Sequence, residues 1–390
     1  MALSEPSAKV TEFIGLNNRA EPRAMTPGEL VQADNVDIDD RKKLRRRRGF
    51  AESLVLADLS SAWATPDESR LFAVAGGALY ELRGSTLDPI ELATGLDDGE
   101  TYWDWDGERI FVSNANGDLI IDGETAYGLA IPRPAPPVVT PVTGDLPAGR
   151  YLAAVVLEDA QGRQGGASDF VVTTVEEGAG LQIAAQLVPA GYTARLFLSR
   201  ANDTVLRQAA QQVTSLEQLG AALEEQQLAG FAPVAGGPIA WHAGRLAKKI
   251  DHENHCLVVF SCPYWPHLFE YGPLDFAVPG HIRVLEDVQS QALLVGTDLA
   301  IWRHHLDEGL QQVADYGVPA GMPAAKNRDG MVYLMTNRGL CRALPFENLT
   351  DMVVSIDPGT RAAVGIVEHA GFTRALALTS GSSTPDNAPR

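Results

Sequence analysis

The chain has 390 residues, 45% of them hydrophobic and 21% charged, and a net charge of −19. It is long enough for two or three domains with real cores, and its composition excludes a disordered chain. The acidic balance excludes a general nucleic-acid binder held by phosphate contacts.

No apolar run reaches the roughly 18 residues that a membrane-spanning helix needs, so no membrane segment is expected. The start, MALSEPSAKV, lacks the basic and apolar stretches of a secretory signal. Cys256, Cys262 and Cys341 are too few for a disulfide framework, so buried thiols are expected.

Residues 1–50 read as an extended N-terminal arm. Gly15, Pro22, Pro27 and Gly28 break it, and Asn17, Asn18, Asp34 and Asn35 favour turns. Gly28 to Ala33 is expected as a short helix, and Val36 to Asp40 alternates apolar and acidic residues as a half-buried strand would. The arm ends in a basic strap, with seven positive charges and no acid between Arg41 and Arg48. Without those seven, 24 basic residues remain against 50 acidic ones. A basic strap on an acidic body suits the acidic face of a neighbouring subunit; a solvated charge run and a nucleic-acid-binding arm are the alternatives.

From residue 51 to 131 the pattern is short strands and tight turns. Leu71–Val74 and Ala78–Leu82 flank Gly76–Gly77, and Arg109–Ser113 and Leu119–Ile121 flank Asn116–Gly117, a strong hairpin signal. The same layout returns three times between 239 and 379, around Ala243–Gly244, Leu299 and Asn337–Gly339. A unit of roughly forty residues centred on a hairpin is the signature of a β-propeller blade, which predicts a mainly-β chain with about five or six blades. Residues 132–238 interrupt it. A stiff Pro132–Pro137 linker leads into strands at Gly149–Leu157, Ser168–Thr174, Leu181–Ile183 and Ala194–Arg200, spaced as in an inserted fibronectin- or immunoglobulin-like β-sandwich. One short amphipathic helix is expected at Leu216 to Leu228, and the polar residues 380–390 are expected to be disordered.

Catalytic motifs are missing: no nucleophile elbow, P-loop, dinucleotide fingerprint or H-E-x-x-H occurs. The ligand-rich run Asp251–His252–Glu253–Asn254–His255–Cys256 reads as a polar hairpin tip rather than a metal site, and no metal or cofactor is expected. His304–His305 reads as the polar end of a strand. Asp104 and Asp106 beside Trp103 and Trp105, with Glu286 and Asp287, are the carboxylates a sugar-cleaving site would draw on. The aromatic run Phe260 to Phe269 reads either as a partner-binding loop or as a proline-fixed crossover between blades.

Three stretches carry a resemblance to a known class. They are F-x-G-L-N-N…E-P…P-G-E-L-x-x-A-x-N-V-D-I with K-L-x-R-R-x-G (Phe13 to Gly49), P-A-G-R-Y-L-A-A-V-V with G-x-x-G-G-A-S (Pro147 to Ser168), and A-W-H-A-G-R-L-A with F-S-C-P-x-x-P-x-L-F (Ala240 to Phe269). Together they resemble the β-propeller tail proteins of tailed phages, especially the tail-tube or nozzle proteins of short-tailed phages. The resemblance implies a structural virion protein without enzymatic activity, made in the host cytoplasm. It implies a ring, six-fold in the usual case, through which viral DNA passes without sequence-specific binding. Tail adaptor or tube proteins and tail fibres would be its other partners. Acidic subunits would give that ring a wall that repels DNA. Subunit and partner contacts would then fall on Phe13, Leu16, Asn17, Asn18, Arg19, Pro22, Leu30, Arg45, Arg46, Arg47 and Arg48 of the arm, and on Tyr264 and Trp265. A carbohydrate-binding or hydrolysing propeller of a tail fibre or spike is the rival expectation.

Overall fold

The computed structural model describes residues 12–21, 23–33, 36–38, 41–46, 54–351, 354–369 and 372–381. The chain is nearly all β, built from many small antiparallel sheets. It divides into two compact units, one of residues 1–91 with 279–390 and the other of residues 92–278.

In the first unit, Leu59–Ala64, Leu71–Ala75, Ala78–Arg83 and Asp88–Thr94 form a four-stranded meander in sequence order. Its central turn forms because Gly76 and Gly77 both have positive φ, which residues bearing a Cβ rarely adopt, and Ala75 pairs with Ala78 across it. Ile282–Val288, Ala292–Thr297, Ile301–His305 and Gly309–Ala314 make a second meander, and Ala324–Lys326, Val332–Thr336, Gly339–Arg342 and Glu347–Asn348 a third. Val284, Val288, Leu294 and Ile301 of the second pack on Val332, Leu334 and Cys341 of the third in one core. A buried carboxylate holds the first meander: Glu81 accepts from Arg70 at 2.7 Å and from Arg83. Burial raises this carboxyl, but the hydrogen bonds and charges of the two arginines outweigh burial and hold it below its ordinary range.

A long hairpin that the sequence pattern did not single out closes this unit. Arg361–His369 and Phe372–Ser380 pair over nine residues, and Ala320–Met322 joins Arg361–His369 in parallel.

In the second unit, Thr101–Trp105, Ile110–Asn114, Gly117–Asp122 and Thr125–Gly128 form one meander. Ile239–His242, Arg245–Asp251, His255–Cys262 and Trp265–Phe269 form another, with Phe276–Pro279 added beside His255–Cys262. Phe111, Ile120 and Leu129 meet Ile239, Leu246, Val259 and Phe269 in a shared core. The turn in the first of these is Ala115–Asn116 rather than Asn116–Gly117, since Asn114 pairs with Gly117. Asn114 sets it by accepting from the backbone of Asn116 and of Asp97.

Between these meanders two further sheets face each other. One orders Val138–Thr143, Ala179–Ala184 and Gln212–Val213; the other orders Val171–Val175, Gly149–Glu158, Thr193–Leu198 and Arg207–Ala209. Tyr151, Ala153, Val175, Leu181, Ile183, Leu198 and Val213 fill the space between them. The Tyr151 ring is fully buried and its hydroxyl donates to the Pro147 carbonyl at 2.9 Å. Tyr151→Phe keeps the ring and removes that bond. It is expected to cost about 1 kcal/mol, read as a lower urea midpoint with an unchanged slope.

Two expected helices are corrected. Leu216 to Leu228 is a 3-10 turn at Leu216–Gln218 and a one-turn α-helix at Glu225–Ala229. The segment between is drawn into strand-like pairing: Gly220 N–H donates to the Gln208 carbonyl, Gln208 N–H to the Ala221 carbonyl, and Leu223 N–H to the Leu206 carbonyl. Gly28 to Ala33 contains the strand Glu29–Leu30, paired in parallel with Gly15–Leu16, because that ladder takes the backbone groups a helix would use. Of the tail expected to be disordered, Ser380 instead ends the long hairpin, paired with Arg361, and residues 382–390 lie outside the described residues.

Candidate functional site

The arm is held together by short-range polar contacts. Ile14 N–H donates to the Gly28 carbonyl at 2.8 Å and Asn17 N–H to the Leu30 carbonyl at 2.7 Å, extending the two-residue ladder at both ends. Gly28 has φ +104°, and a Cβ there would stand 2.5 Å from the Glu12 carbonyl oxygen, so only glycine fits. Asn17 is buried. Its Oδ1 accepts from the backbone of Arg19 and Ala20, and its Nδ2 donates to Glu29 Oε1 at 3.1 Å, while Glu29 Oε2 takes Thr26 N–H at 2.7 Å. Asn17 and Glu29 thus close the loop between the two strands.

Val36–Ile38 and Leu44–Arg46 follow as a hairpin, tied back by Phe13 N–H to the Lys42 carbonyl at 2.8 Å. Lys42 has positive φ at its turn and lies 3.4 Å from Glu12. Arg45 and Arg46 lie on the exposed strand of this hairpin, so the described part of the strap is a β-ribbon.

The arm also lies on its own chain. Asn18 and Ser355 form a reciprocal pair, Nδ2 to the Ser355 carbonyl at 3.2 Å and Ser355 N–H to Oδ1 at 2.7 Å. Arg19 pairs with Asp351 at 3.0 Å and donates to its carbonyl as well. These contacts are solvent-exposed, where a single ion pair contributes at most about 1 kcal/mol. Of the residues expected to bind neighbours, Asn17 works inside the arm, while Asn18 and Arg19 reach residues 351–355. Phe13, Leu16 and Leu30 are half-buried, Arg45 and Arg46 exposed, and Pro22, Arg47 and Arg48 lie outside the described residues.

Tyr264 and Trp265 sit elsewhere. Phe260 to Phe269 is a tight hairpin, not a crossover between sheets: Cys262 pairs with Trp265 across a Pro263–Tyr264 turn. Tyr264 has φ +59° and is 72% exposed, its N–H bonded to the Gly244 carbonyl at 2.8 Å and its ring seated over Gly244. Trp265 is half-buried and stacked on His267, with centroids 6.0 Å apart. Only the tyrosine of this pair projects far enough to serve as a contact.

The carboxylates a sugar-cleaving site would draw on have structural partners. Asp104 is buried and accepts the Trp241 N–H at 2.6 Å, bridging its meander to the next. Asp106 caps its own turn by accepting from Arg109 N–H at 2.7 Å and Nε at 2.9 Å. Glu286 pairs with Lys326 at 3.3 Å, and Asp287 accepts Ser290 N–H at 2.9 Å. His252 and His255 stack at the hairpin tip as expected, with His252 N–H on the His255 carbonyl, and Cys256 donates its thiol to Asp251 at 3.0 Å. The three cysteines are buried thiols. Burial pushes Cys262 up to about 11 and raises Cys341, so neither is a ready nucleophile near neutral pH.

Sequence reasoning missed a fully buried ion pair in the second unit. Lys248 and Asp118, both with side chains 1% exposed, are in direct contact. Asp118 Oδ1 also accepts Ser113 Oγ–H at 2.8 Å and Gly236 N–H at 3.0 Å. The available signal was a lysine two positions from both Leu246 and Ile250, which alternation places on the same strand face as those apolar residues.

No protein-family model matches the sequence, and no curated protein matches it. Among solved structures, the extracellular domain of a hybrid two-component system from B. thetaiotaomicron aligns with 83% of this chain and 35% of its own, at 10% identity and a TM-score of 0.32. The dihydro-heme d1 dehydrogenase NirN, in complex with DHE, aligns with 76% of this chain and 66% of its own, at 12% identity and a TM-score of 0.27. Porphyromonas gingivalis dipeptidyl peptidase 4 aligns with 83% and 51%, at 10% identity and a TM-score of 0.27. The chain thus spans about a third of the length of the first of these and about half that of the peptidase. Likenesses this distant assign no activity. Among the described residues, no helix is long and apolar enough to cross a membrane.

Proposed function

We propose that the five meanders are blades of a β-propeller carrying an inserted β-sandwich, and that the chain is a structural protein of a phage tail. In this reading copies assemble head-to-tail into a ring around the DNA exit channel, and the N-terminal arm laces neighbours together. The observation that carries it is the arm. Its hairpin, Val36–Ile38 paired with Leu44–Arg46, carries the described part of the basic strap on a chain whose other residues are strongly acidic. Opposite charge on two patches of one chain favours a heterologous contact, which closes into a ring when the rotation per copy divides a full turn. The phage-tail motifs support the same assignment, since the arm carries the longest of them. The rival, a sugar-cleaving propeller, loses support because Asp104, Asp106, Glu286 and Asp287 are each held by a backbone donor or a cation.

The purified chain is expected to give particles whose mass is a small integer multiple of 41.8 kDa by light scattering, with a central hole in negative stain. Arg41→Glu, Arg45→Glu and Arg46→Glu together are expected to leave a monomer of unchanged circular dichroism, and salt is expected to weaken the wild-type assembly. A wild-type chain that stays monomeric at every concentration and ionic strength would remove the ring.

A further inference from the structure

We propose that Lys248 and Asp118 are joined by an intramolecular amide, Nζ to Cγ, formed in the folded protein with loss of one water. Four observations place the reacting atoms. The two side chains touch, and each is 1% exposed, so water is excluded from the bond once it forms. Asp118 uses its oxygens differently: Oδ2 faces the amine, while Oδ1 takes the Ser113 hydroxyl at 2.8 Å and the Gly236 N–H at 3.0 Å. Two donors on one oxygen form an oxyanion hole, the arrangement that stabilises the charge developing when a nucleophile adds to Cγ. The amine has Asp118 and Ser113, the latter at 3.4 Å, as partners for three N–H donors, so a buried ammonium is incompletely solvated there.

The step balances within the pair. A proton moves from the ammonium to Oδ2, leaving a neutral amine beside a neutral carboxyl. Nζ adds to Cγ, and negative charge collects on Oδ1 between Ser113 and Gly236. A second proton passes from nitrogen to Oδ2, the Cγ–Oδ2 bond breaks, and that oxygen leaves as water carrying both protons. The amide nitrogen keeps one hydrogen. Neither an oxidant nor a second reactant is needed, and proximity replaces the activation an intermolecular amide would require. Burial, which lowers the ammonium's pKa against the pull of Asp118, favours the first transfer. The product would staple the meander of residues 101–128 to that of residues 239–279, on either side of the inserted sandwich.

The test needs no variant. The intact mass of the denatured full-length chain is expected to be one water below its sequence mass. Trypsin is expected to leave residues 246–249 uncut at Lys248 and branched onto residues 110–150, where Arg133 is protected by Pro134. Ser113→Ala is expected to lower the crosslinked fraction at matched age. An unshifted mass with free cleavage after Lys248 would reduce the pair to an ion pair and overturn the proposal. Complete crosslinking in Ser113→Ala would overturn the role given to the hydroxyl.

Discussion

Replacing Lys248 with methionine is expected to destabilise the unit of residues 92–278 by about 3–5 kcal/mol, because it leaves the Asp118 carboxylate buried with no counter-charge. Two hydrogen bonds to Oδ1 do not compensate, since Ser113 and Gly236 supply dipoles and not a charge. Adding Asp118→Asn to Lys248→Met removes the charge and keeps an oxygen for the same two donors. The double variant is therefore expected to be more stable than Lys248→Met alone, by at least about 1 kcal/mol, a coupling that additive surface effects would not produce. Urea midpoints of the three proteins measure it. Equal midpoints for Lys248→Met and the double variant would mean that water reaches Asp118 in the folded chain. The sign of the coupling is the same for an ion pair and for an amide, because either partnership ends when Lys248 goes. If the amide forms, the wild type stands higher still, since a link between residues 118 and 248 also constrains the unfolded chain.

The parts of this fold legible in the sequence are those set within a few residues. Leu71–Ala75, the paired glycines 76 and 77, and Ala78–Arg83 form a hairpin because alternation and turn chemistry agree locally, and the same holds around Ala243–Gly244. Four strands between residues 149 and 200 were legible too, from their spacing, while Val138–Thr143, Arg207–Ala209 and Gln212–Val213, which complete the two sheets, were not. What was not legible depends on partners far along the chain. The Glu- and Gln-rich run after Ser215 has good helix formers, yet pairing of residues 220–223 with 206–208 takes its middle. Nothing near Lys248 in sequence names Asp118, 130 positions earlier, and nothing near Asn18 names Ser355. Asn17 read as a neighbour contact, yet its side chain bonds Arg19, Ala20 and Glu29 within the same segment, a local clasp with no signature in composition.

Acid is expected to weaken the same unit through His267. Its ring is 6% exposed, stacked on Trp265, and Nε2 donates to the Gln164 carbonyl at 3.1 Å, which fixes the neutral tautomer with hydrogen on Nε2. Nδ1 is buried without a hydrogen-bond partner among the described residues, so protonation would create an unsatisfied donor inside the protein. Burial first, then the charge of Arg163, lowers this imidazole from 6.5 to about 4; Asp159, paired with Arg163, pulls the other way and Arg109 adds to the lowering. The unfolded chain therefore takes up a proton near pH 6.5 and the folded chain only near pH 4. Between those values the unfolded state binds more protons, so stability rises with pH. The contribution is fully present above pH 6.5 and is lost as pH falls toward 4. A shift of this size corresponds to about 3 kcal/mol over the window. Wild-type urea midpoints are expected to fall from pH 7 to pH 5, above the range where most carboxylates titrate. His267→Gln, which keeps a donor for the Gln164 carbonyl, is expected to be less stable at pH 7 and nearly flat over the same interval. An equal slope in the two proteins would mean that the acid sensitivity lies elsewhere, and that His267 is already charged or solvated in the folded chain.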